Sequence, residues 1–410
     1  MIKMVLQYIY RKDTKMDNLT LEILLGFSEL GVDSVEVKKS RIDLHCHSKL
    51  EEGICPSCLE KCKKVKSTTT RQIRDMSLLG KEVYLHLESR QFFCEDCDRY
   101  FQESFSFVEP SKNQTLRLEK YLYMCLKDSS FKQVAVRENV LWDVLQDLFN
   151  RYAQKEIKDN LDYFPTKIGI DEFSYRKGKK DYAVVLVDLD RGCVWEVLPE
   201  RTKEYLKAYF LSKGDAFCQG VKVVSCDMWE GFSNTAKEVF PNAEVVIDRF
   251  HFFVHCHQVL DKIRKELRKQ DPNNVYFKAI KWLLYKPWKD LSEQQRNTLL
   301  KAFRRSAALR QAYFLKTELQ NIFNAPISKM EAEKLIEDWL KQAEELKNKA
   351  MDTFIKTFKS WKNDILNFFT CRLSNGIVEG INNGIKTLKR VAYGFRNFQH
   401  FRTRILVNFI

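Results

Sequence analysis

Apolar and polar positions alternate along this chain with a period that changes several times, and each change indicates a predicted element boundary. After a lead-in over residues 1–40, the stretch "KEVYLHLESRQFF" places Val83, Leu85 and Leu87 on one face of a strand. Other extended segments lie nearby. Residues 41–110 are therefore predicted to form a small β-rich module.

Residues 111–160 switch to the spacing of helices. Apolar side chains recur three or four positions apart, and "KDSS" interrupts the pattern near residues 127–130. Two or three short helices with interspersed basic residues are expected. The pattern fits a helix-turn-helix that reads DNA and a plain helical connector about equally well.

After Pro165 the period becomes that of strands. The segments "TKIGIDEFSY", "DYAVVLVDLD" and "CVWEVLPE" are short and rich in β-branched residues, and the turn-like "RKGKK" and "RG" separate them. A helix, the buried-type strand "VKVVSCD", a second helix and the strand "AEVVIDRF" follow. This βββαβαβ order is the order of the RNase H-like fold, whose first part is predicted over residues 161–250.

Nearly all of residues 251–370 show long amphipathic helical patterns, interrupted at "DPNN", "YKPWKD" and "NAPIS". This stretch is interpreted as an all-α insertion. Residues 371–410 return to the RNase H-like core with the glycine-rich "LSNGIVEGINNG" and a basic tail. Gly376, Gly380 and Gly384 recur every fourth residue, so one face of the predicted helix would permit close approach to the sheet or to DNA. The predicted fold class is a multidomain α+β/α/β protein.

Charge narrows the possible partners. The chain has 410 residues, which favours two to four domains, and 69 Lys and Arg against 55 Asp and Glu leave a net charge of +14. Such a balance suits a polyanion, above all nucleic acid. Neither an apolar run of the roughly 20 residues that span a bilayer nor a secretory signal is evident, so a cytoplasmic protein with no membrane partner is expected.

Cysteine spacing predicts a structural zinc site. Cys55 and Cys58 form one C-x2-C pair, and Cys94 and Cys97 form another. Two such pairs supply the four soft thiolates of a tetrahedral Zn²⁺, with no open position for catalysis. His45, Cys46, His47 and Cys62 are close in sequence but irregularly spaced, so they are left out of the predicted ligand set. The cysteines in apolar contexts are expected to be small core residues: Cys193, Cys218 and Cys226.

Two acids are predicted to meet on adjacent strands. Asp171 follows "IGI" in the first core strand and Asp227 ends "VKVVSC" in the fourth, and these strands are neighbours in an RNase H-like sheet. Acids at the ends of apolar strands are costly unless cations neutralise them. Two Mg²⁺ or Mn²⁺ ions about 3.5–4 Å apart do so in enzymes that cut phosphodiesters, and a third acid normally completes such a site. Other acids near the hairpins compete, with Asp188 the strongest rival: Glu172, Asp181, Asp188 and Asp190.

Asp248 and His251 form a D-x2-H at the end of the last core strand. They are interpreted either as a pair that supports the acids or contacts DNA, or as a capped strand end with a hydrogen-bonded histidine. The residues alone favour neither interpretation.

Four segments resemble, in order, the catalytic blocks of bacterial insertion-sequence transposases of the ISL-three group, which carry an RNase H-like DDE catalytic domain. They are "IGIDEFSYRKG", "VSCDMWEGF", "DRFHFF" and "SNGIVEGINNGIKTLKRVAYGFRNFQHFRTRIL". The "CPSC" and "CEDC" pairs look like the group's zinc-binding domain. The resemblance runs from about residue 40 to the C-terminus, although "SSFKQVAVRENVLWDVL" follows the group's helix-turn-helix pattern only loosely.

The resemblance implies that Asp171, Asp227 and Glu379 are three catalytic acids that bind Mg²⁺ or Mn²⁺. Asp248 and His251 correspond to the group's strand-end acid and histidine. The implied activity is binding of terminal inverted repeats, cleavage that frees DNA 3′ ends, and strand transfer into target DNA. The implied partners are double-stranded DNA and further copies of the chain, in the bacterial cytoplasm at the nucleoid.

The basic tail is the predicted phosphate contact near this site, through Lys386, Lys389, Arg390 and Arg396. Arg402 and Arg404 lie in the same tail. Its aromatic residues at helical spacing are expected to be core residues: Phe395, Phe398 and Phe401.

Two alternatives share these features. A zinc-dependent DNA-binding regulator would keep the fold but not cut, and the presence of all three acids favours the enzyme over it. An RNase H-like nuclease acting on RNA hybrids or junctions would use the same metal chemistry, and the sequence separates it poorly from a transposase.

Overall fold

The computed structural model describes residues 18–175, 181–373, 376–395 and 397–410. These residues form two compact units, the first ending at Tyr152 and the second beginning at Ala153. Among the helices described, none is both long enough and apolar enough to cross a membrane.

The N-terminal unit is built on a twisted sheet that follows helix α1 (Asn18–Leu25). Its strands pair in the order β1-β2-β6-β5, and β7 pairs with the end of β6. The bounds are β1 (Leu30–Val37), β2 (Arg41–Ser48), β5 (Val65–Leu78), β6 (Lys81–Cys94) and β7 (Arg99–Gln102). The alternation of β6 buries Val83, Leu85 and Leu87, which confirms the predicted β-rich module.

A small lobe extends from this sheet. Strands β3 (Gly53–Ile54) and β4 (Lys61–Cys62) form an antiparallel hairpin, and Phe92 and Phe101 pack beneath it with three buried cysteines. Because the lobe buries few apolar residues, its own hydrophobic core is too small to account for its stability.

Three helices close the first unit: α2 (Leu116–Asp128), α3 (Phe131–Glu138) and α4 (Trp142–Leu161), the last of which runs past the unit boundary. Ser130 and Gln133 form a reciprocal capping box at the start of α3, and Asn139 ends that helix in the left-handed conformation. The helices predicted over this stretch, and the break at "KDSS", are confirmed.

The second unit contains a five-stranded sheet in the order β10-β9-β8-β11-β12. Strands β8 (Lys167–Ser174), β9 (Tyr182–Asp188) and β10 (Cys193–Leu198) are antiparallel neighbours. Strands β11 (Val223–Cys226) and β12 (Glu244–Ile247) run parallel to β8. Helices α5 (Lys203–Leu211), α6 (Asp215–Gly220) and α7 (Glu230–Val239) connect them. The predicted βββαβαβ order is confirmed, with the short α6 as an addition.

A helical region follows directly from β12. Its elements are α8 (Arg249–Gln270), α9 (Val275–Ala279), α10 (Lys281–Tyr285), a 3₁₀ turn (Trp288–Asp290), α11 (Glu293–Arg305), α12 (Ala307–Asn324), α13 (Lys329–Glu345), α14 (Lys349–Ser360), α15 (Lys362–Leu366) and α16 (Phe368–Cys371). Three of the breaks fall at the predicted interruptions, and further breaks, among them those at Ser306 and at residues 346–348, were not predicted. Phe252 of α8 packs against Phe323, Phe354 and Phe358, so the helical region and the sheet share one core.

The chain ends with α17 (Gly376–Val391) and α18 (Phe398–Phe409). A Cβ on Gly169 of β8 would lie 2.9 Å from Cγ2 of Val378, so this strand glycine lets α17 approach the sheet. The helix glycines do something else: Gly380 has no heavy atom within 4 Å of an added Cβ, and a Cβ on Gly384 would meet the ring of Phe409 at 2.5 Å. Neither glycine faces the sheet, because the rotation of α17 about its axis points Val378 there instead.

Candidate active site and zinc site

Three acids, here called the strand-end acids, lie one residue past the last parallel pairs of β8, β11 and β12, although β8 itself continues to Ser174. Ile170 of β8 pairs with Cys226 of β11, and Cys226 pairs with Ile247 of β12. The residue after each member of this row is an aspartate: Asp171, Asp227 and Asp248. The parallel register thus brings the predicted acids to one edge of the sheet, where ligands of α/β sheets commonly bind.

His251 joins two of these carboxylates. Its Nδ1 lies 2.5 Å from Oδ1 of Asp227 and 2.8 Å from Oδ2 of Asp248. Burial opposes the charged ring, but the hydrogen bonds to Asp227 and Asp248 outweigh it and raise the pKa of His251 to about 10. The histidine is therefore an imidazolium at neutral pH, and it neutralises part of the charge of the acids.

Asp248 has two roles in this geometry. Its Oδ1 accepts the N–H of Phe250 at 2.8 Å, which caps the N-terminus of α8, while its Oδ2 accepts the proton of His251. The strand end is thus capped, and the histidine also contacts Asp227.

Asp171 is partly buried beside Asp227. Burial and the negative charge of Asp227 raise the pKa of Asp171 to about 6. Its Oδ1 accepts the N–H of Glu172 at 2.7 Å, and its Oδ2 accepts a hydrogen bond from Nδ2 of Asn382. A carboxylate held beside a like charge is stabilised by any cation that binds between them.

Helix α17 presents two polar side chains toward this edge of the sheet. Asn382 is buried against Asp171, whereas Glu379, one turn earlier, is exposed. One ligand atom each from Asp171, Asp227 and His251 lies within 4.8 Å of the others, and Glu379 is not a member of that group. The structure therefore brings together the first two predicted acids and places the third on the adjacent helix, directed into solvent.

The donor set fits a hard divalent cation. Carboxylate oxygens from Asp171 and Asp227 are the ligands that Mg²⁺ and Mn²⁺ take, and the unfavourable proximity of these two charges supplies a reason to bind one. Nδ1 of His251 cannot ligate a metal while both of its hydrogen bonds hold, because it carries a proton. It acts in this state as a counter-charge.

The competing acids have other partners. Asp188 pairs with Ile168, three residues before Asp171 on β8, and its Oδ1 accepts the N–H groups of the hairpin residues Asp190 and Arg191. Asp188 thus stabilises a turn at the opposite end of the strand. Glu172 forms an ion pair with Arg201.

Arg201 lies over two aromatic rings near the acids, and the sequence pattern does not reveal these contacts. The Arg201 guanidinium that pairs with Glu172 also lies over the rings of Tyr182 and Trp229, at 4.4 and 5.5 Å from their centroids. These residues come from four separate segments, so no spacing rule reveals them. The sequence does give a signal for Asn382, because this residue lies three positions after Glu379 and shares its helix face.

The predicted phosphate contacts divide into two sets. Lys386 and Arg390 are exposed on α17, Lys389 donates to the carbonyl of Ser174 at 2.9 Å, and Arg396 lies outside the described residues.

Arg402 and Arg404 of α18 turn inward instead. Arg402 forms a bidentate pair with Glu196, both contacts at 2.6 Å, and Arg404 is only 2% exposed. The predicted core residue Phe401 is fully buried, stacked on Phe395.

The four predicted zinc ligands form one cluster in the small lobe. Sγ atoms of Cys55 and Cys97 are 3.9 Å apart, and those of Cys58 and Cys94 are 3.5 Å apart. A tetrahedron with Zn–S bonds of about 2.3 Å has sulfur atoms about 3.8 Å apart, so the spacing fits zinc. Backbone N–H groups of Cys58 and Ser57 lower the pKa of Cys55 to about 6, which favours the thiolate that binds metal. Cys62 is buried nearby but outside the cluster.

Comparison with known proteins matches two family models, one over each of the stretches that contain these sites. The family model of ISL3 DDE transposases, described as "Transposase", matches residues 168–405, which is more than half the chain. A second model, described as a zinc-finger of the transposases of IS204, IS1001, IS1096 and IS1165, matches residues 51–97. The four-cysteine cluster of the small lobe is therefore a zinc-finger site, and its metal is a structural Zn²⁺.

Curated relatives include the transposases of two insertion sequences. The transposase for insertion sequence element IS1001 of Bordetella parapertussis is 28% identical over 409 residues, covering 96% of this chain and 98% of the relative. The transposase for insertion sequence element IS1557 of Mycobacterium tuberculosis is 25% identical over 258 residues, or 57% of each chain. A 55-residue segment is 46% identical to part of an ATP-dependent protease of Lactococcus lactis, 13% of this chain and 18% of that one, which is too short to bear on the whole.

The family match defines this protein as a DDE transposase, a member of the class of enzymes that cut DNA and join it elsewhere. The chain belongs to the ISL-three (ISL3) transposase family.

Proposed function

We propose that this transposase binds the terminal inverted repeats of an insertion sequence, cuts the DNA to free its 3′ ends and transfers them into target DNA. One observation carries the proposal: Asp171 and Asp227 lie side by side, one residue past the last parallel pair of β8 and β11, where a divalent cation between them would offset their repulsion. Asp171, Asp227 and Glu379 are the proposed catalytic carboxylates, and Mg²⁺ or Mn²⁺ is the proposed cofactor.

The catalytic core is proposed to be RNase H-like, formed by residues 161–250 and 371–410, with residues 251–370 as an all-α insertion. Support comes from the strand order β10-β9-β8-β11-β12, with three antiparallel strands followed by two parallel ones. Helix α17 returns to β8 after the helical region, at the close approach between Gly169 and Val378.

The chain's own residues orient the reaction. A bound divalent cation pair supplies charge neutralisation and an activated oxygen nucleophile for in-line displacement at phosphorus. Asp171 and Asp227 hold that charge at a fixed place, and His251 and the capped Asp248 hold Asp227. Because the reaction depends on alignment of the attacking and leaving oxygens, this rigid support contributes directly to rate.

Glu379 is proposed to complete the site from α17. It lies in the first turn of the helix, one turn before Asn382, which already touches Asp171. Residues three apart share a helix face, so the Glu379 carboxylate is proposed to turn toward the acids by a change of rotamer.

DNA recognition is proposed to involve residues outside the acid cluster. The zinc site in residues 41–110 and the helices in residues 111–160 would read the terminal repeats, the latter as a helix-turn-helix-like segment. Exposed Lys386 and Arg390, with Lys389 and Arg396, would contact phosphates. Assembly of several copies on the DNA would bring two ends together.

The deciding experiment uses linear DNA that carries the ends of the insertion sequence. Wild-type protein with Mg²⁺ is expected to cut at the ends, and Asp227→Asn is expected to lower the rate roughly 100- to 1,000-fold. Asp190→Asn is the matched control, because Asp190 lies in the turn after β9 and pairs with Lys167 at the start of β8, away from the acids. Unchanged cleavage by Asp227→Asn would refute the site assignment.

The same assay separates the enzyme from a zinc-dependent DNA-binding regulator. If neither wild type nor variant cuts while both still shift the end-containing DNA in a gel, the regulator is favoured. Cleavage of an RNA–DNA hybrid in preference to the DNA ends would instead favour a nuclease of the same chemistry.

A further inference from the structure

Asn382 is a polar side chain buried where the catalytic chemistry is proposed. It lies on α17, one turn after Glu379, and only 6% of it is exposed. Its Nδ2 donates to Oδ2 of Asp171, which is the one side-chain hydrogen bond shown between the described part of α17 and the three strand-end acids. The residue thus ties the last helix of the site to the first strand.

The contact fixes the Asp171 carboxylate. Oδ1 of Asp171 accepts the backbone N–H of Glu172 at 2.7 Å, and Oδ2 accepts Nδ2 of Asn382, so each oxygen has one donor. Two donors on different sides leave the carboxylate little rotational freedom. The backbone donor comes from the same strand, whereas Asn382 is the donor that arrives from another element.

The amide orientation of Asn382 follows from its partner. An ionised carboxylate only accepts hydrogen bonds, so the NH₂ group must face Asp171 and the amide oxygen must point elsewhere. That oxygen, Oδ1, is buried and has no hydrogen-bond partner among the described residues. A buried acceptor without a donor is unfavourable unless a ligand provides one.

We infer that Asn382 is a positioning residue of the acid centre, which holds Asp171 through Nδ2 and offers Oδ1 to the divalent cation or to a water on it. The inference rests on the proposed function, because it assumes that Asp171 binds this cation. Amide oxygens are among the ligands that hard cations accept, and residues that orient a metal ligand are needed for full affinity.

The test measures Mn²⁺ binding to the full-length, metal-free protein by isothermal titration calorimetry, without DNA. Asn382→Ala removes both amide groups, and Asn382→Leu removes them while keeping most of the side-chain volume. Asn383→Ala is the matched control, because Asn383 is the adjacent asparagine on the same helix but is exposed. Both Asn382 variants are expected to bind Mn²⁺ about 10- to 100-fold more weakly, and Asn383→Ala as tightly as wild type.

The Leu variant separates positioning from packing. If Asn382 only fills space, Asn382→Leu should bind Mn²⁺ like wild type and only Asn382→Ala should be impaired, which would overturn the inference. Thermal unfolding of each variant identifies any that fails to fold, and Asn382→Leu then provides the decisive comparison because it preserves volume.

Asp227→Asn distinguishes failure of this inference from failure of the proposed function. If Asp227→Asn abolishes Mn²⁺ binding and the Asn382 variants do not weaken it, the role of Asn382 is wrong while the metal site stands. If Asp227→Asn leaves Mn²⁺ binding intact, the proposed metal site itself is wrong, and with it the role of Asn382.

Discussion

Nδ1 of His251 lies 2.5 Å from Oδ1 of Asp227, the acid that follows the fourth core strand. The same nitrogen lies 2.8 Å from Oδ2 of Asp248, the acid that follows the fifth. One imidazolium therefore bridges two neighbouring strand ends and sets the direction in which Asp227 presents its second oxygen. A histidine in this place supports the acids without belonging to the row of strand-end residues.

The first prediction concerns loss of this bridge. His251→Ala leaves Asp227 without its hydrogen bond and leaves three carboxylates with less compensating charge. DNA end cleavage is expected to fall about 10- to 100-fold, in the range for residues that orient metal ligands. Cleavage rates at saturating Mg²⁺ with linear DNA carrying the element's ends provide the measurement.

His255→Ala is the control for that variant. His255 lies on the same helix one turn later, is exposed, and has no hydrogen bond to the acids. Its replacement should leave cleavage within about twofold of wild type. Equal losses in both variants would mean that α8 is perturbed as a whole and that the bridge has no specific effect.

The second prediction uses two glycines of α17 that differ only in surroundings. Gly380→Ala adds a methyl group in open space, so the gain in helix propensity should raise the free energy of unfolding by about 0.5–1 kcal/mol. Gly384→Ala brings the same gain but places its Cβ 2.5 Å from the ring of Phe409. Its free energy of unfolding should be lower than that of Gly380→Ala by about 1–3 kcal/mol.

Chemical denaturation of both variants tests the pair. Because the substitution and the helix are the same, the propensity term cancels and the difference reports the contact with α18. Equal free energies of unfolding would mean that Phe409 moves aside without cost.

The third prediction concerns zinc. Cys94→Ser removes one of four thiolates, so zinc content should fall from about one ion per chain to near zero, and binding to the element's ends should be lost with it. Cys62→Ser is the control, since Cys62 is buried in the same lobe but lies outside the four-cysteine cluster. It should retain its zinc. Metal analysis of the purified proteins and gel shifts give the two readouts.

A different result would redefine the ligand set. If Cys62→Ser loses zinc while Cys94→Ser keeps it, Cys62 replaces Cys94 as a ligand. If Cys94→Ser loses zinc but still binds the ends, the zinc-binding lobe is not the reader of the terminal repeats.

Elements with a clear period could be predicted from the sequence. Strand β6 alternates buried and half-buried residues, and "KVVSCD" and "KIGID" are apolar runs that end in an acid, so both the strands and their acids follow from local pattern. The doubled C-x2-C likewise identified the four cysteines that cluster in the small lobe, because two-residue spacing is a geometric requirement of the knuckle. These features depend on residues near one another in the chain.

Features that depend on how an element is rotated or paired could not be predicted. Arg402 and Arg404 look like a basic surface in sequence, yet α18 turns them toward Glu196 and the core. The same holds for α17, whose rotation puts Asn382 against Asp171 and leaves Glu379 in solvent. A helical pattern gives the face that residues share, but the partner of that face is set by tertiary packing.

The last prediction concerns a buried lysine in the helical region. Lys316 of α12 has no exposed surface, and its Nζ donates to the carbonyl of Lys286 at 3.0 Å and lies 4.4 Å from the ring centroid of Tyr313. Burial lowers the pKa of Lys316 to about 8. Since an unfolded chain keeps the ordinary lysine pKa near 10.4, the unfolded state binds more protons between about pH 8 and pH 10.4, and the free energy of unfolding rises with pH across that window.

Lys316→Met removes the buried charge and nearly preserves the length of the side chain. The Lys286 carbonyl keeps a donor, because the hydroxyl of Tyr313 also reaches it at 3.0 Å. The variant should therefore be more stable than wild type by about 1–3 kcal/mol at pH 7, and this advantage should shrink toward zero as the pH approaches about 10.4. Urea denaturation of both proteins at several pH values gives the difference between their free energies of unfolding. Taking this difference cancels the contribution of the other titrating groups.

Lys334→Met is the control on the neighbouring helix α13, where Lys334 is exposed. Its effect should stay within about 0.5 kcal/mol at every pH. If Lys316→Met lowers stability by the same amount at pH 7 and pH 10, the hydrogen bond and ring contact of Lys316 outweigh the burial of its charge. Charged Lys316 would then stabilise the helical region, contrary to the lowered pKa of Lys316.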